Sequence, residues 1–573
     1  MTHLSLLAVV FLSVIISPAE AFGKSKPKTP GPDVVIAQGD CTAEKLGADI
    51  PASKIGEPVS AVTLNTLVWV QAAGQNPAYC RVNGSMAPID PEAPNINFSV
   101  ALPSVWTHRA VQVGGGGMNG SIPGLTGGAP GGGASFLARG WAVSGSDSGH
   151  QGFGLEWSLN DESMKNLGYM QMKKTHDAAW VLIHRMYGSK PVYSYWVGNS
   201  QGGREGLTVA QKYPADYDGV LISVPIVNFS SLMLSRALHR IQEIPLDNWV
   251  TSAKRAAIST EVVRQCDGLD GVMDGIVNNY NACRAIFDVT QGNPDPWLQK
   301  RCPGADPDPG DTSASACLTD GQISTMEFVQ RRYEFATPLA FGNRTFGMWV
   351  PNTDPGGSGM IVNIRYRGQE GATESSPLFS WLGGPGVLGF LFKDLGANAL
   401  DYVEGGELNA RRVEISEYLD ATQPNLNGFR ATGGKLMSFV GTYDSLASSG
   451  SQLDYYQSVL DRMGSDRVRQ FARFYVIPAT GHGLSGNNYQ VNGLGEALAV
   501  RAVPNGGIAR LDLLVDWVEN GVAPPDDLVL SAPGTGGRSM PLCEYPSYAQ
   551  YGGGDPDSAA SYHCEGHHGD DDD

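Results

Sequence analysis

Short apolar runs alternate with segments of helical periodicity from about residue 60 to residue 225. Arg109-Ala-Val-Gln-Val113 reads as a strand that runs into the glycine loop "GGGGMNGS" (114–121), and "GWAVSGSD" (140–147) and "PVYSYWVG" (191–198) read as further strands. Between them "THDAAWVLIHRMYG" (175–188) repeats apolar residues at helical spacing and stops on a glycine. Strands separated by helices predict a parallel sheet with crossover helices. The alternation breaks after "YDGVLISVPI" (217–226) and gives way to turns, aspartate-rich loops and scattered aromatics up to about residue 430. It returns with "GGKLMSFVGTYD" (433–444, strand and turn), "QLDYYQSVLDRM" (452–463, helix), "VRQFARFYVIPATGHG" (468–483, strand and loop) and "ARLDLLVDWVENG" (509–521, helix). The pattern predicts an α/β core over 41–225 and 431–564, interrupted by an inserted domain over 226–430.

Composition narrows this picture. At 573 residues the chain exceeds one ordinary core, which suits a core with a large insertion. A net charge of −18 argues against nucleic acid and anionic membrane surfaces as partners. The N-terminus carries an apolar stretch, Leu4–Ile16, followed by Ala19-Glu20-Ala21, a small-x-small cleavage site. Residues 1–21 are therefore expected to be a signal peptide, 22–40 a flexible lead-in and 565–573 an acidic disordered tail, in a secreted or periplasmic protein. The eight cysteines are even in number and clustered, which favours neighbour pairing in an exported chain: Cys41–Cys80, Cys266–Cys283, Cys302–Cys317 and Cys543–Cys564.

The candidate chemistry sits in "VGNSQGGREG" (197–206), where Gly198-x-Ser200-x-Gly202 stands between an apparent strand and an apparent helix. A nucleophilic serine on such a turn needs small neighbours, because the backbone there is crowded. Acyl transfer also needs amides aimed at a developing oxyanion; Gly117 in the upstream glycine loop and Gln201 after the serine are the candidates. A base and an orienting acid should follow in the order serine, acid, histidine. His482 is the one histidine between His239 and His563. Asp444 follows a strand and precedes a turn, whereas Asp454 falls in a helical pattern and Asp420 has no clear strand before it. Ser200, Asp444 and His482 form the expected triad. In the insertion, "CDGLDGVMDGIVNNYNAC" (266–283) converges Asp267, Asp270 and Asp274 on a glycine-rich loop between two cysteines, and such hard oxygen ligands favour structural Ca²⁺.

Taken in order, "GGGGMNGS", "SDSGH" (146–150), "GNSQGGREGL", "YPADYDGVL" (213–221), the aspartate loop, "YYQSV" (455–459) and "RFYVIPATGHG" resemble the tannase and feruloyl esterase family of α/β-hydrolases, which includes hydrolases of mono(2-hydroxyethyl) terephthalate. The resemblance implies an α/β-hydrolase core capped by a large lid domain. It implies Ca²⁺ held by Asp267, Asp270 and Asp274 with the carbonyls of Val272 and Ile276, the same four cysteine pairs, no organic cofactor, and a small aromatic ester as substrate. Most members carry cysteines before the nucleophile and after the histidine, tied by a disulfide; here those positions are Asn199 and Gly483, and hydrogen bonds of Asn199 are a candidate replacement. "SSPLFSWLGGPGVLGFLFKDLG" (375–396) is similar to the family's substrate-facing lid segment, so Phe379, Trp381 and Phe390 are candidate contacts for an aromatic acyl group. No Arg or Lys lies between Ser375 and Phe392, which favours neutral phenolic esters over terephthalate monoesters. The expected activity is a serine carboxylesterase; the competing reading is a non-catalytic secreted binding protein.

Overall fold

The computed structural model describes residues 28–351, 384–534 and 537–566. The signal segment, Phe379, Trp381 and the end of the acidic tail lie outside the described residues. Nine strands form the central sheet: β1 (Ala61–Val70), β2 (Tyr79–Ala87), β3 (Ile96–Pro103), β4 (Arg109–Val113), β5 (Ala142–Ser146), β6 (Tyr193–Asn199), β7 (Gly219–Ser223), β8 (Lys435–Gly441) and β9 (Ala472–Ile477), in the spatial order β9-β8-β7-β6-β4-β5-β3-β2-β1. Strands β4 to β9 are mutually parallel. Strands β1 to β3 pair antiparallel with one another, and β3 antiparallel with β5. The sheet is thus mixed, where the alternation predicted a parallel one. The chain between β1, β2 and β3 is too short for a crossover helix, and antiparallel neighbours need none.

Strands β7, β8 and β9 are buried on both faces, as expected for parallel strands covered by helices on either side. Their side chains alternate. Ile222, Leu436 and Val476 join one apolar cluster, while Leu221, Met437 and Ile477 join another on the opposite face. Helix α1 (Gln171–Tyr187) packs Ala178, Leu182 and Ile183 against β3 and β5, and helix α2 (Gln201–Lys212) follows β6 directly.

Between β7 and β8 the chain forms helices α3 (Phe229–Gln242), α4 (Arg255–Cys266), α5 (Tyr280–Phe287), α6 (Asp320–Gln330) and α7 (Asn409–Leu419). Their apolar residues gather in a separate cluster around Phe229, Ile258, Phe328 and Ile415, which also takes in Met118 and Trp157 from the core. The returning core adds α8 (Ser449–Met463) and α9 (Arg510–Val515). All four neighbour disulfides are present. Among the described residues no helix is long and apolar enough to cross a membrane.

Candidate active site

Ser200 directly follows β6 and caps α2, with φ 61° and ψ −117°. A side-chain-bearing residue in this region is strained, and the surroundings hold it there. The Ser200 amide donates to the Ser223 carbonyl (3.0 Å), and the Ser200 carbonyl accepts from Arg204 N–H (3.0 Å) and Ile226 N–H (3.3 Å). The flanking glycines are sterically required. A Cβ on Gly198 would overlap the Gly202 carbonyl, and one on Gly202 would come within 2.9 Å of the Gly114 backbone. Nucleophile turn and glycine loop therefore pack backbone to backbone.

The loop is tied to α2. Gly202 N–H donates to the Gly115 carbonyl (2.8 Å), and Gly114 N–H to the Val197 carbonyl (2.9 Å). Buried Glu205 accepts from Gly115 N–H (3.0 Å), Asn119 Nδ2 (2.6 Å) and Gln171 Nε2 (3.1 Å). Burial pushes its carboxyl pKa up, against the opposing influence of Arg204 and the donated hydrogen bonds. Glu205 is the residue that sequence reasoning missed here, since a glutamate after an arginine in a helix reads as a surface charge. Among the described residues the amides of Gly116, Gly117 and Gln201 donate to no protein acceptor, and Gln201 is the first residue of α2, where amides lack intrahelical partners. Gly114, Gly115 and Gly116 line the same cavity as Ser200; Gly117 stands one residue beyond, at φ 61°.

Asp444 occupies the turn after β8 and His482 the loop after β9. Tyr443 N–H donates to the Thr480 carbonyl (2.9 Å), joining the two loops, and a Cβ on Gly441 would overlap that same carbonyl. Asp444 is buried. Its Oδ1 accepts from Leu446 N–H and Ala447 N–H (both 2.9 Å), and its two oxygens lie 2.9 and 3.0 Å from His482 Nδ1. Nε2 of His482 is left as the free ring nitrogen. Burial pulls the imidazolium pKa down, but the charge and hydrogen bond of Asp444 outweigh it, and the pKa of His482 is raised above 6.5. The other candidate acids are engaged elsewhere: Asp454 pairs with Arg284 and Arg332, and Asp420 accepts from the amide and hydroxyl of Ser230.

Ser200 opens onto a cavity of about 450 Å³ that is also lined by Asn199, Gly483, Leu484 and Arg510. The side chain of Asn199 makes no hydrogen bond among the described residues, so no such bond stands in for the disulfide that the resemblance places at positions 199 and 483 in most members. The two positions border open space instead. Phe390 is fully buried and meets Trp157 edge-on at 5.4 Å, inside the insertion's own cluster. It packs the insertion's interior, where the sequence reading expected a contact for an acyl group. A cation does line the cavity, contributed by α9 and not by the lid segment.

In the aspartate loop, Asp267 accepts from Gly275 N–H (2.8 Å) and Gly493 N–H (2.7 Å), Asp270 from Asn278 Nδ2 (2.6 Å) and Val272 N–H (3.1 Å), and Asp274 from Ile276 N–H (3.0 Å). Asp274 also pairs with buried Arg538. Three buried carboxylates thus share one direct guanidinium contact. Burial pushes Asp267 up to about 6 and Asp270 up to about 7. Oxygen donors of this kind suit a hard divalent cation, but among the described residues the three carboxylates do not bring their oxygens together within reach of a single ion.

The comparisons with known proteins agree with this architecture. The sequence model of the tannase and feruloyl esterase family matches residues 80–565. An uncharacterized esterase of Agrobacterium fabrum is 34% identical over 566 residues, 92% of this chain and 93% of its own. The mono(2-hydroxyethyl) terephthalate hydrolase of Piscinibacter sakaiensis is 28% identical, over 88% of this chain and 89% of its own. The crystal structure of feruloyl esterase B from Aspergillus oryzae shares the fold with a TM-score of 0.71 at 22% identity, covering 92% of this chain and 99% of that one. By family match and by near-full-length similarity, the chain is a carboxylic ester hydrolase and belongs to the tannase and feruloyl esterase family.

Proposed function

We propose that the protein is an exported serine esterase acting on esters of aromatic, phenolic acids. Ser200 Oγ attacks the ester carbonyl while His482 Nε2 takes its proton, and Asp444 holds the ring and stabilises the imidazolium that forms. The amide of Gln201 and a glycine-loop amide, Gly117 or its neighbour Gly116, receive the oxyanion. His482 then returns the proton to the leaving alcohol, and water, deprotonated by the same nitrogen, resolves the acyl-enzyme. The observation that carries this reading is the Asp444–His482 pair on the loops after β8 and β9, with Ser200 on its strained turn after β6. A substrate panel tests it. Methyl ferulate and methyl gallate are expected to be hydrolysed with higher kcat/KM than aliphatic methyl esters of equal size; preference for the aliphatic esters would overturn the aromatic assignment.

Asp267, Asp270 and Asp274, with the carbonyls of Val272 and Ile276, would hold Ca²⁺, which supplies positive charge to the buried cluster and takes no part in acyl transfer. The cation would stabilise the insertion against unfolding. A chelator is therefore expected to lower Tm and added Ca²⁺ to restore it, the bound ion stabilising the fold by about 2.7 kcal/mol at a hundredfold excess over Kd. A Tm indifferent to both would remove calcium from the account. The four disulfides and the expected signal segment support an exported protein.

A further inference from the structure

Among the described residues, the cavity beside Ser200 has one ionisable lining residue, Arg510. Its other walls are glycines, apolar side chains, Asn199, Ser200 and Ser223. Arg510 is 8% exposed, and its guanidinium lies over the Phe439 ring at 4.6 Å. One Nη2 hydrogen bond goes to the Asn505 carbonyl (3.0 Å), and among the described residues no carboxylate pairs with it. Three other buried arginines meet a carboxylate, Arg412 with Glu404, Arg284 with Asp454 and Arg538 with Asp274, and fully buried Arg204 instead donates to Gln201 and to the carbonyls of Leu167, Gly168 and Leu419. Burial with no anion beside it pushes the Arg510 pKa below the ordinary guanidinium value. A desolvated cation with unused planar donors is costly alone and is matched by a carboxylate that accepts two N–H groups at once. The cavity volume suits one substituted ring or a chain of similar bulk.

We propose that this cavity is a substrate subsite for a free carboxylate, held by Arg510, so that the enzyme prefers esters carrying a carboxylate away from the scissile bond. The inference rests on Ser200 being the nucleophile, and it revises the expectation of neutral substrates, which considered only cations of the lid segment. The carboxylate can belong to the acid half or to the alcohol half of the ester; both place an anion beside Ser200.

Two matched pairs separate these sources. Monomethyl terephthalate against methyl 4-methylbenzoate varies the acid half, and 4-carboxybenzyl benzoate against 4-methylbenzyl benzoate varies the alcohol half. In one of the pairs the charged ester is expected to exceed its neutral partner in kcat/KM by about tenfold to a hundredfold, the range of a charge-assisted hydrogen bond. Arg510→Met should abolish that preference and keep hydrolysis of the neutral ester, while Arg510→Lys should retain part of it. A wild-type enzyme without preference for the charged member of either pair overturns the proposal, as does an Arg510→Met enzyme that keeps the preference. If neither the charged nor the neutral member of either pair is hydrolysed, the Ser200 reading falls first and this one with it. Should Arg510→Met not fold, the wild type decides. Benzoate inhibiting neutral-ester hydrolysis more strongly than benzamide supports the subsite, and equal inhibition overturns it.

Discussion

Ser200→Ala is expected to lower kcat/KM on an aromatic ester by about 10⁴-fold or more, with little change in Tm. The Ser200 hydroxyl has no hydrogen-bond partner among the described residues, so the truncation removes chemistry and leaves no buried group unsatisfied. Serine and alanine both carry a Cβ, so the strain at φ 61° is the same in both. The backbone bonds that hold the turn, from the Ser200 amide to Ser223 and from Arg204 and Ile226 to the Ser200 carbonyl, do not involve the side chain. What survives is what the oxyanion donors and substrate binding supply without a nucleophile. Steady-state kinetics beside a thermal melt checks both halves. A variant retaining a tenth of the wild-type rate would place the attacking group elsewhere.

Asp444→Asn should lower kcat by about 10⁴-fold while the site keeps its shape. The asparagine carbonyl can still accept the Leu446 and Ala447 amides. Its amide group, however, donates towards His482 Nδ1 and favours the tautomer with the proton on Nε2, where the base must be bare. The same change moves the pH profile. His482 acts as a base only when neutral, and in the wild type Asp444 raises its pKa above 6.5, so the acid limb of kcat/KM should lie above that pH. Without the carboxylate only the burial contribution remains, which lowers the pKa, and the residual activity should extend to lower pH. A variant whose acid limb stays where the wild type has it would show that Asp444 does not set the charge state of His482.

The candidate site was legible because its residues have local consequences in the chain. Gly198 and Gly202 must be glycine for β6 to turn into α2, and that need is written around Ser200. Asp444 and His482 stand directly after apolar runs that can only be buried strands. The cysteine pairs were legible because each joins two cysteines that are neighbours along the chain. Other features depend on what folds back from a distance. Strands β1 to β3 were absorbed into the α/β alternation, although short connections make them antiparallel. Glu205 follows Arg204 in a helix and reads as surface charge, yet both are fully buried under the glycine loop and α7. Phe390 carries an apolar signal that serves a core as well as a binding face, and in the fold it lies edge-on against Trp157. Arg510 opens a helix far from the lid segment, and only the packing of α9 against β8 brings it to the cavity.

The central claim is that Ser200, activated through His482 and Asp444, forms the covalent intermediate. A fluorophosphonate probe followed by peptide mass spectrometry tests it most directly. The account predicts one phosphonyl adduct, on Ser200, absent from Ser200→Ala and strongly slowed in His482→Ala. An active enzyme that takes up no label, or carries it on another residue, would contradict it.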